Sequence, residues 1–293
     1  MNYTLEQSHG KLIVKDLEHF NIKHIFECGQ CFRWYLEDDR SYTAIAGGMV
    51  ANFLQEGTTL YVEGVKEKEW RGFWHNYFDL DRDYGKIKEE LSLDPILKEA
   101  ITFGYGMRLL NQDPYETIIS FIISANNQIP RIKKAVEAIA NDLGDYIRTY
   151  RGRDHYSFPE PGALAEKTEE YIREVYRVGF RADRLREVSR RIADGEFDTS
   201  CIFDIEHKDA KELLTTLPGV GPKVSDCILL FAFDKGEAFP VDVWVKRVME
   251  YFYFKRPATK KELEDSGERL FGSLAGYAQQ YLFYYARELG IGK

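Results

Sequence analysis

The sequence predicts an α+β protein in which an N-terminal antiparallel sheet domain, residues 1–105, is followed by an all-helical domain, residues 106–293. Short β-rich stretches fill the first part, and a hydrophobic spacing of three and four residues begins near Arg108. No internal repeat, low-complexity tract or long linker separates the two parts, so we expect them to dock tightly. A chain of 293 residues with 44% hydrophobic residues can bury a substantial core.

Five β-rich stretches predict the sheet. They are LIVKD, CFRWYL, YTAIAGG, MVANFLQ and TLYVEGV, and the turn signals DD, GG and EG separate them. Short stretches joined by such turns are typical of antiparallel pairing.

Five later segments carry the helical spacing. They are YETIISFIISA, IPRIKKAVEAIANDLG, ADRLREVSRRIADG, DAKELLTTL and GYAQQYLFYYARELG. Glycine and proline lie between these segments as start and stop signals, which supports a series of separate helices.

The composition limits the class of protein and its location. A net charge of −8 argues against a protein that coats nucleic acid through its overall charge, so DNA binding would need a local basic face. Basic residues cluster at 131–134, 181–191 and 246–247, although such clusters are more often solvated helix faces. The first residues lack a secretion signal and no apolar run could span a bilayer, so we expect a cytoplasmic, prokaryotic protein without membrane contact.

The four cysteines do not predict a metal site. Only Cys28 and Cys31 have the two-residue gap of metal or redox pairs, and one such pair is too few for zinc. We expect both to be small packing residues.

The segment LPGVGPK predicts a hairpin between two helices, within residues 211–232. Gly219 and Gly221 can adopt backbone angles closed to other residues, and Pro222 suits the first turn of a helix. The free amides at that helix N-terminus form an anion site suited to a DNA phosphate. A plain helical hairpin would explain each residue separately but not the whole string.

Lys223 and Asp242 are the candidate catalytic pair. Lys223 lies in the first turn of the second helix, where the helix dipole disfavours an ammonium and favours a nucleophilic amine. Asp242, within FPVDVW, is placed to cap a helix that begins near Val243. A carboxylate there could also stabilise positive charge on a sugar as its base departs. The simpler alternatives are an exposed lysine and an ordinary N-cap.

LPGVGPKVSDC followed by FPVDVW resembles the signature of helix-hairpin-helix DNA glycosylases. A lysine at position 223 resembles the bifunctional members, which remove a base and then cut the strand. The iron–sulfur branch is disfavoured because no cluster of four cysteines follows the motif.

Further segments resemble the 8-oxoguanine DNA glycosylases. The segment GQCFRW implies that the Gly29 carbonyl reads the extra N7 hydrogen of the oxidised base, because N7 of guanine is itself an acceptor. In YAQQYLF, the resemblance implies that Gln279 reads the Watson–Crick edge and that Phe283 stacks on the base, with Cys227 on the opposite side. Core packing is the alternative for this aromatic helix.

The same resemblance implies a set of DNA-contacting residues. Asn126 would fill the gap left by the flipped nucleotide, Arg131 would address the opposite cytosine, and Phe180 would act as a wedge without the hydroxyl common in the family. The remaining candidate DNA contacts are Arg181, Lys246, Gly219 and Gly221.

The predicted function is excision of 8-oxoguanine from double-stranded DNA, in base excision repair, by a monomer that forms a lysine Schiff base. No organic cofactor and no catalytic metal is expected, although a monovalent or calcium-like ion could bind the hairpin loop.

Eukaryotic members commonly carry histidine and aspartate where this chain has Trp244 and Ala286, so the phosphate beside the lesion must be held differently. The alternatives are another lesion, such as an alkylated purine or an oxidised pyrimidine, and a non-catalytic DNA-binding module.

Overall fold

The computed structural model describes residues 3–291. Six strands near the N-terminus are β1 (Thr4–Ser8), β2 (Lys11–Lys15), β3 (Trp34–Leu36), β4 (Tyr42–Ala46), β5 (Met49–Glu56) and β6 (Thr59–Glu63). They form one antiparallel sheet in the order β1-β2-β6-β5-β4-β3. The predicted N-terminal antiparallel sheet is therefore confirmed, with β1 as an additional edge strand.

Alternating side chains on β2 and β6 build the core of the sheet domain. Leu12 pairs with Val62 and Val14 pairs with Leu60, and all four side chains are buried. Residues two apart on a strand lie on the same face, so these pairs cover one side of the sheet. Trp70 and Trp74, both fully buried, pack in the same hydrophobic cluster.

Helices make up most of the rest of the described chain. They are α1 (Ile22–Glu27), α2 (Glu67–Glu69), α3 (His75–Tyr77), α4 (Tyr84–Leu91), α5 (Pro95–Phe103), α6 (Pro114–Ser124), α7 (Ile129–Leu143), α8 (Pro161–Ala165), α9 (Glu169–Val175), α10 (Ala182–Ala193), α11 (His207–Thr215), α12 (Pro222–Ala232), α13 (Val243–Val248), α14 (Lys260–Phe271) and α15 (Ala275–Leu289). The fold class, a sheet first and helices after it, is confirmed.

Two features differ from the sequence prediction. Helices α1 to α5 lie within residues 1–105, and α4 and α5 contribute Tyr84, Leu97 and Ile101 to the hydrophobic cluster of the helical part. Helix α5 also packs on α15. The domain boundary at residues 105 and 106 stays a prediction.

The second difference is a β-hairpin inside the helical part, formed by β7 (Tyr146–Tyr150) and β8 (Arg153–Tyr156). Its turn residues Arg151 and Gly152 have φ of 50° and 72°, as a tight hairpin turn requires. The hydroxyl of Tyr150 donates to Glu63 at 2.7 Å, and Arg151 pairs with Asp39 at 2.8 Å. The hairpin therefore joins the sheet domain to the helical domain.

Candidate active site

Helices α11 and α12 enclose the predicted hairpin. Gly219 has φ of +88°, and a Cβ there would lie 2.9 Å from Cδ of Arg184. Gly221, with φ of −95°, is the N-cap of α12, and Pro222 is its first residue. Of the two glycines that can adopt angles closed to other residues, Gly219 does so and Gly221 does not. That residue is exposed, and a Cβ on it would meet open space.

A cavity of about 770 Å³ lies beside this hairpin. Its wall is formed by α12, α13, α14 and α15, by the end of α6, the start of α7 and the loop between them, and by the segment after α1. The structure brings together at this cavity eight of the thirteen residues predicted from the sequence: Gly29, Asn126, Lys223, Cys227, Asp242, Lys246, Gln279 and Phe283.

Lys223 and Cys227 face the cavity from successive turns of α12. Lys223 is half-buried, and its ammonium lies 5.6 Å from the centre of the Phe121 ring. Burial raises the pKa of the Cys227 thiol to about 11, although the charge and a hydrogen bond of Lys223 oppose that rise. The amine and the thiol are therefore neighbours inside the cavity, and the thiol is neutral.

Asp242 caps α13, as predicted. Its Oδ1 atom accepts a 2.8 Å hydrogen bond from the backbone amide of Val245. Burial raises the pKa of this carboxyl, while the Val245 amide, the Lys223 charge and the Arg287 charge act in the opposite direction. Asp242 and Lys223 therefore interact electrostatically across the cavity.

Gln279 and Phe283 present an amide and a ring from the same face of α15. Gln279 is 4% exposed, and its Oε1 atom has no hydrogen-bond partner among residues 3–291. A buried acceptor without a partner is costly, so it is suited to a donor supplied by a ligand. Gly29 lies next to the Phe283 ring. Its φ is +86°, and a Cβ at this position would lie 3.2 Å from that ring.

A series of contacts connects the cavity to the hairpin. Asn126 is exposed with φ of +52° between α6 and α7, and Arg181 donates a 3.1 Å hydrogen bond to its carbonyl. Phe180 is 57% exposed, with the Arg181 guanidinium 4.3 Å and the Arg184 guanidinium 5.2 Å from its ring centre. Arg184 in turn packs on Gly219.

The other predicted DNA contacts lie outside the cavity or at its edge. Arg131 is exposed in the first turn of α7 and does not line the cavity. Lys246 is exposed on α13 and lies 3.8 Å from Glu250. Arg181, by contrast, is 7% exposed, and its guanidinium is already bonded to backbone carbonyls.

Comparison with known families assigns the two halves of the chain. The model of the 8-oxoguanine DNA glycosylase N-terminal domain matches residues 12–118, and that of the HhH-GPD superfamily of base excision DNA repair proteins matches residues 119–272. The chain belongs to this glycosylase superfamily, in its 8-oxoguanine branch.

Individual relatives resemble the glycosylase over most of its length. It is 36% identical to the probable N-glycosylase/DNA lyase of Methanothermobacter thermautotrophicus, over 79% of each chain. Its identity to the N-glycosylase/DNA lyase of Arabidopsis thaliana is 32%, over 88% of this chain and 75% of that one. The crystal structure of Clostridium acetobutylicum 8-oxoguanine glycosylase/lyase, with DNA containing cytosine opposite 8-oxoguanine, superposes with a TM-score of 0.96. That pair shares 44% identity over 99% of this chain and 100% of the other.

Several residues at the cavity of the glycosylase were not among the site residues predicted from the sequence. Trp244 is half-buried in the wall, with the Arg247 guanidinium 5.1 Å from its ring centre, whereas Ala286 is fully buried and lies outside the lining. Gln280 and Arg287 also line the cavity from α15. Arg287 follows Gln279 and Phe283 at four-residue spacing, so the helical period alone places these three residues on one face.

The cysteines and acidic residues of the glycosylase form no metal site in the part of the chain that the structure describes. No group of three or more His, Cys, Asp or Glu residues there could hold an ion. Cys28 and Cys31 are buried and reduced, which confirms them as packing residues. Within residues 3–291, no helix is both long and apolar enough to cross a bilayer.

Proposed function

We propose that this glycosylase removes 8-oxoguanine from double-stranded DNA in base excision repair and then cuts the strand at the abasic site. The observation that carries the proposal is a single cavity that joins a lysine, a carboxylate and a base-sized wall of Gly29, Gln279 and Phe283. The similarity over nearly the full length to an 8-oxoguanine glycosylase/lyase supports the same substrate.

The flipped base would be read at two edges. The Gly29 carbonyl accepts a hydrogen bond from N7–H of 8-oxoguanine, a hydrogen that guanine lacks. The unpartnered Oε1 of Gln279 accepts from the Watson–Crick edge. The base then stacks between the Phe283 ring and the Cys227 side, where a neutral thiol avoids placing a charge on an apolar surface.

Lys223 would carry out the bond-breaking chemistry as a neutral amine. The Lys223 ammonium first gives a proton to water. Its Nζ then forms a bond to C1′ of the deoxyribose while the C1′–N9 bond breaks, and the electron pair leaves with the base, which takes up the proton that Nζ releases. The Asp242 carboxylate stabilises positive charge that develops on the sugar. The C1′–O4′ bond of this N,O-acetal then breaks, O4′ takes up a proton from water, and a protonated Schiff base forms at C1′. Water accepts a proton from C2′, the C2′=C3′ double bond forms, and the 3′ phosphate leaves as the C3′–O bond breaks. Hydrolysis of the Schiff base by water finally releases the lysine.

The surface around the cavity would hold the bent duplex. Asn126 occupies the gap left by the base, and Phe180 wedges beside the opposite nucleotide, offsetting the few kcal/mol that unstacking costs. The amides near Gly219 and Gly221 bind a phosphate, and Arg131, Arg181 and Lys246 add positive charge. A monovalent or calcium-like ion in the hairpin loop stays a prediction.

Borohydride trapping tests the lesion and the nucleophile together. A duplex with one 8-oxoguanine opposite cytosine is incubated with the native protein, with Lys223→Gln and with the control Lys98→Gln, an exposed lysine of α5. We expect a covalent adduct with the native protein and the control but not with Lys223→Gln. No base release by the native protein would overturn the assignment and favour an alkylated purine or an oxidised pyrimidine. DNA binding without chemistry on any lesion would indicate a binding module.

A further inference from the structure

Two side chains of α15 hold the backbone that leads into Gly29. The Gln280 amide nitrogen donates a 2.8 Å hydrogen bond to the Cys28 carbonyl. One guanidinium nitrogen of Arg287 donates to the Glu27 carbonyl, and the other lies 3.0 Å from where a Cβ of Gly29 would be. The peptide planes before Gly29 are therefore anchored to the helix that also carries Gln279 and Phe283.

The backbone after Gly29 is anchored as firmly. The Gln30 side chain is fully buried and donates to the carbonyls of Ile25 at 2.9 Å and Arg108 at 2.8 Å. It also accepts from the Leu110 amide at 2.9 Å, while the Gln112 side chain donates to the Gln30 carbonyl at 2.9 Å. Gly29 therefore lies between two neighbouring residues that hydrogen bonds hold in place.

Glycine cannot fix its own carbonyl direction. Gly29 has φ of +86°, a region that glycine enters without steric cost, and a glycine peptide can also rotate away from such a conformation without steric cost. The hydrogen bonds on both sides remove that freedom. The backbone on either side of Gly29 is therefore held by Gln280 and Arg287 before it and by the contacts of Gln30 after it.

We propose that Gln280 and Arg287 are positioning residues that fix the Gly29 carbonyl and thereby set the preference of this glycosylase for 8-oxoguanine over guanine. The inference rests on the proposed function. A carbonyl aimed at N7 accepts a hydrogen bond from the oxidised base and opposes the lone pair of guanine. A carbonyl that points elsewhere neither attracts the oxidised base nor repels guanine. The preference for 8-oxoguanine over guanine therefore falls more than the overall affinity for DNA.

The test compares binding and cleavage in variants that each remove the hydrogen-bond donors of one side chain. Gln280→Met keeps the side-chain length but not the amide. Arg287→Met keeps an unbranched side chain but removes the guanidinium, which lies 5.2 Å from the centre of the Phe283 ring. Arg287→Lys retains one donor and serves as the conservative rescue. Arg71→Met, an exposed arginine paired with Glu67 on the other domain, is the matched control.

Two ratios are measured for each variant. The first is the Kd for undamaged duplex over the Kd for the 8-oxoguanine duplex, in a Lys223→Gln background. The second is the rate of 8-oxoguanine excision over the rate of strand cleavage at a preformed abasic site, where there is no base to read. We expect both ratios to fall by about tenfold or more in Gln280→Met and Arg287→Met. Arg287→Lys should recover part of the loss, and Arg71→Met should match the native protein.

The outcomes separate this inference from the proposed function. If the native protein does not excise 8-oxoguanine, the proposed function fails first. If the native protein excises 8-oxoguanine but both ratios stay unchanged in the variants, the positioning role is wrong. It is also wrong if a variant loses 8-oxoguanine excision and abasic-site cleavage by the same factor. Thermal unfolding identifies a variant that does not fold, in which case the Arg287→Met and Arg287→Lys pair decides.

Discussion

The carboxylate of Asp242 accepts a 2.8 Å hydrogen bond from the backbone amide of Val245 and at the same time faces Lys223 across the cavity. One side chain therefore starts a helix and supplies the negative charge of the candidate site. Asparagine caps helices about as well as aspartate but carries no charge. Substitutions at position 242 can therefore separate the two roles.

Asp242→Asn is expected to fold normally and to lose base excision by about a hundredfold or more, because the helix cap remains and the charge is removed. Asp242→Ala should lose activity to a similar extent and be about 1 kcal/mol less stable to unfolding than Asp242→Asn, because alanine does not cap the helix. Urea unfolding and single-turnover excision of 8-oxoguanine measure the two effects. Full activity in Asp242→Asn would show that the charge is not needed.

The pH dependence of stability tests the burial of the same carboxyl. Burial raises the folded-state pKa of Asp242 above the ordinary 3.8, so the fold favours the protonated form. Its contribution to the free energy of unfolding is present below the unfolded pKa and is lost as pH rises through the folded pKa. We expect Asp242→Asn to gain stability over the native protein at about pH 7 and to lose that advantage near about pH 4. A constant difference across that range would contradict a raised folded-state pKa of Asp242.

The two hairpin glycines should respond differently to alanine. Gly219→Ala places a Cβ at φ of +88° and 2.9 Å from Arg184, so we expect a loss of about 1–2 kcal/mol in stability. Gly221→Ala, at an ordinary φ and facing open space, should cost less, about 0.5–1 kcal/mol, because alanine is a poorer N-cap than glycine. If a phosphate approaches this end of α12, Gly221→Ala should nevertheless weaken DNA binding. Equal melting temperatures for the two variants would contradict the hairpin geometry.

The sequence predicted the features that depend on nearby residues. The hairpin, the Asp242 cap and the common face of Gln279 and Phe283 each lie within one turn or one helix, where propensity and period suffice. It could not predict the bond from Gln280 to Cys28, because 252 residues separate them. The β7–β8 hairpin was missed for a related reason, since its contacts to the sheet domain are made by tertiary packing rather than local spacing.

Phe180 offers a test of the DNA surface that is independent of the cavity. The ring is 57% exposed and outside the cavity lining, so Phe180→Ala should change the unfolding free energy by less than about 0.5 kcal/mol. Loss of a wedge beside the opposite nucleotide should still lower 8-oxoguanine excision by about tenfold, because the cost of holding the base out of the stack is no longer offset. Tyr251→Ala is the control, since that ring is 60% exposed and also outside the lining. The fluorescence of 2-aminopurine placed next to the lesion reports base flipping directly. If Phe180→Ala flips and excises the base as fast as Tyr251→Ala, the ring is an ordinary exposed aromatic and not a wedge.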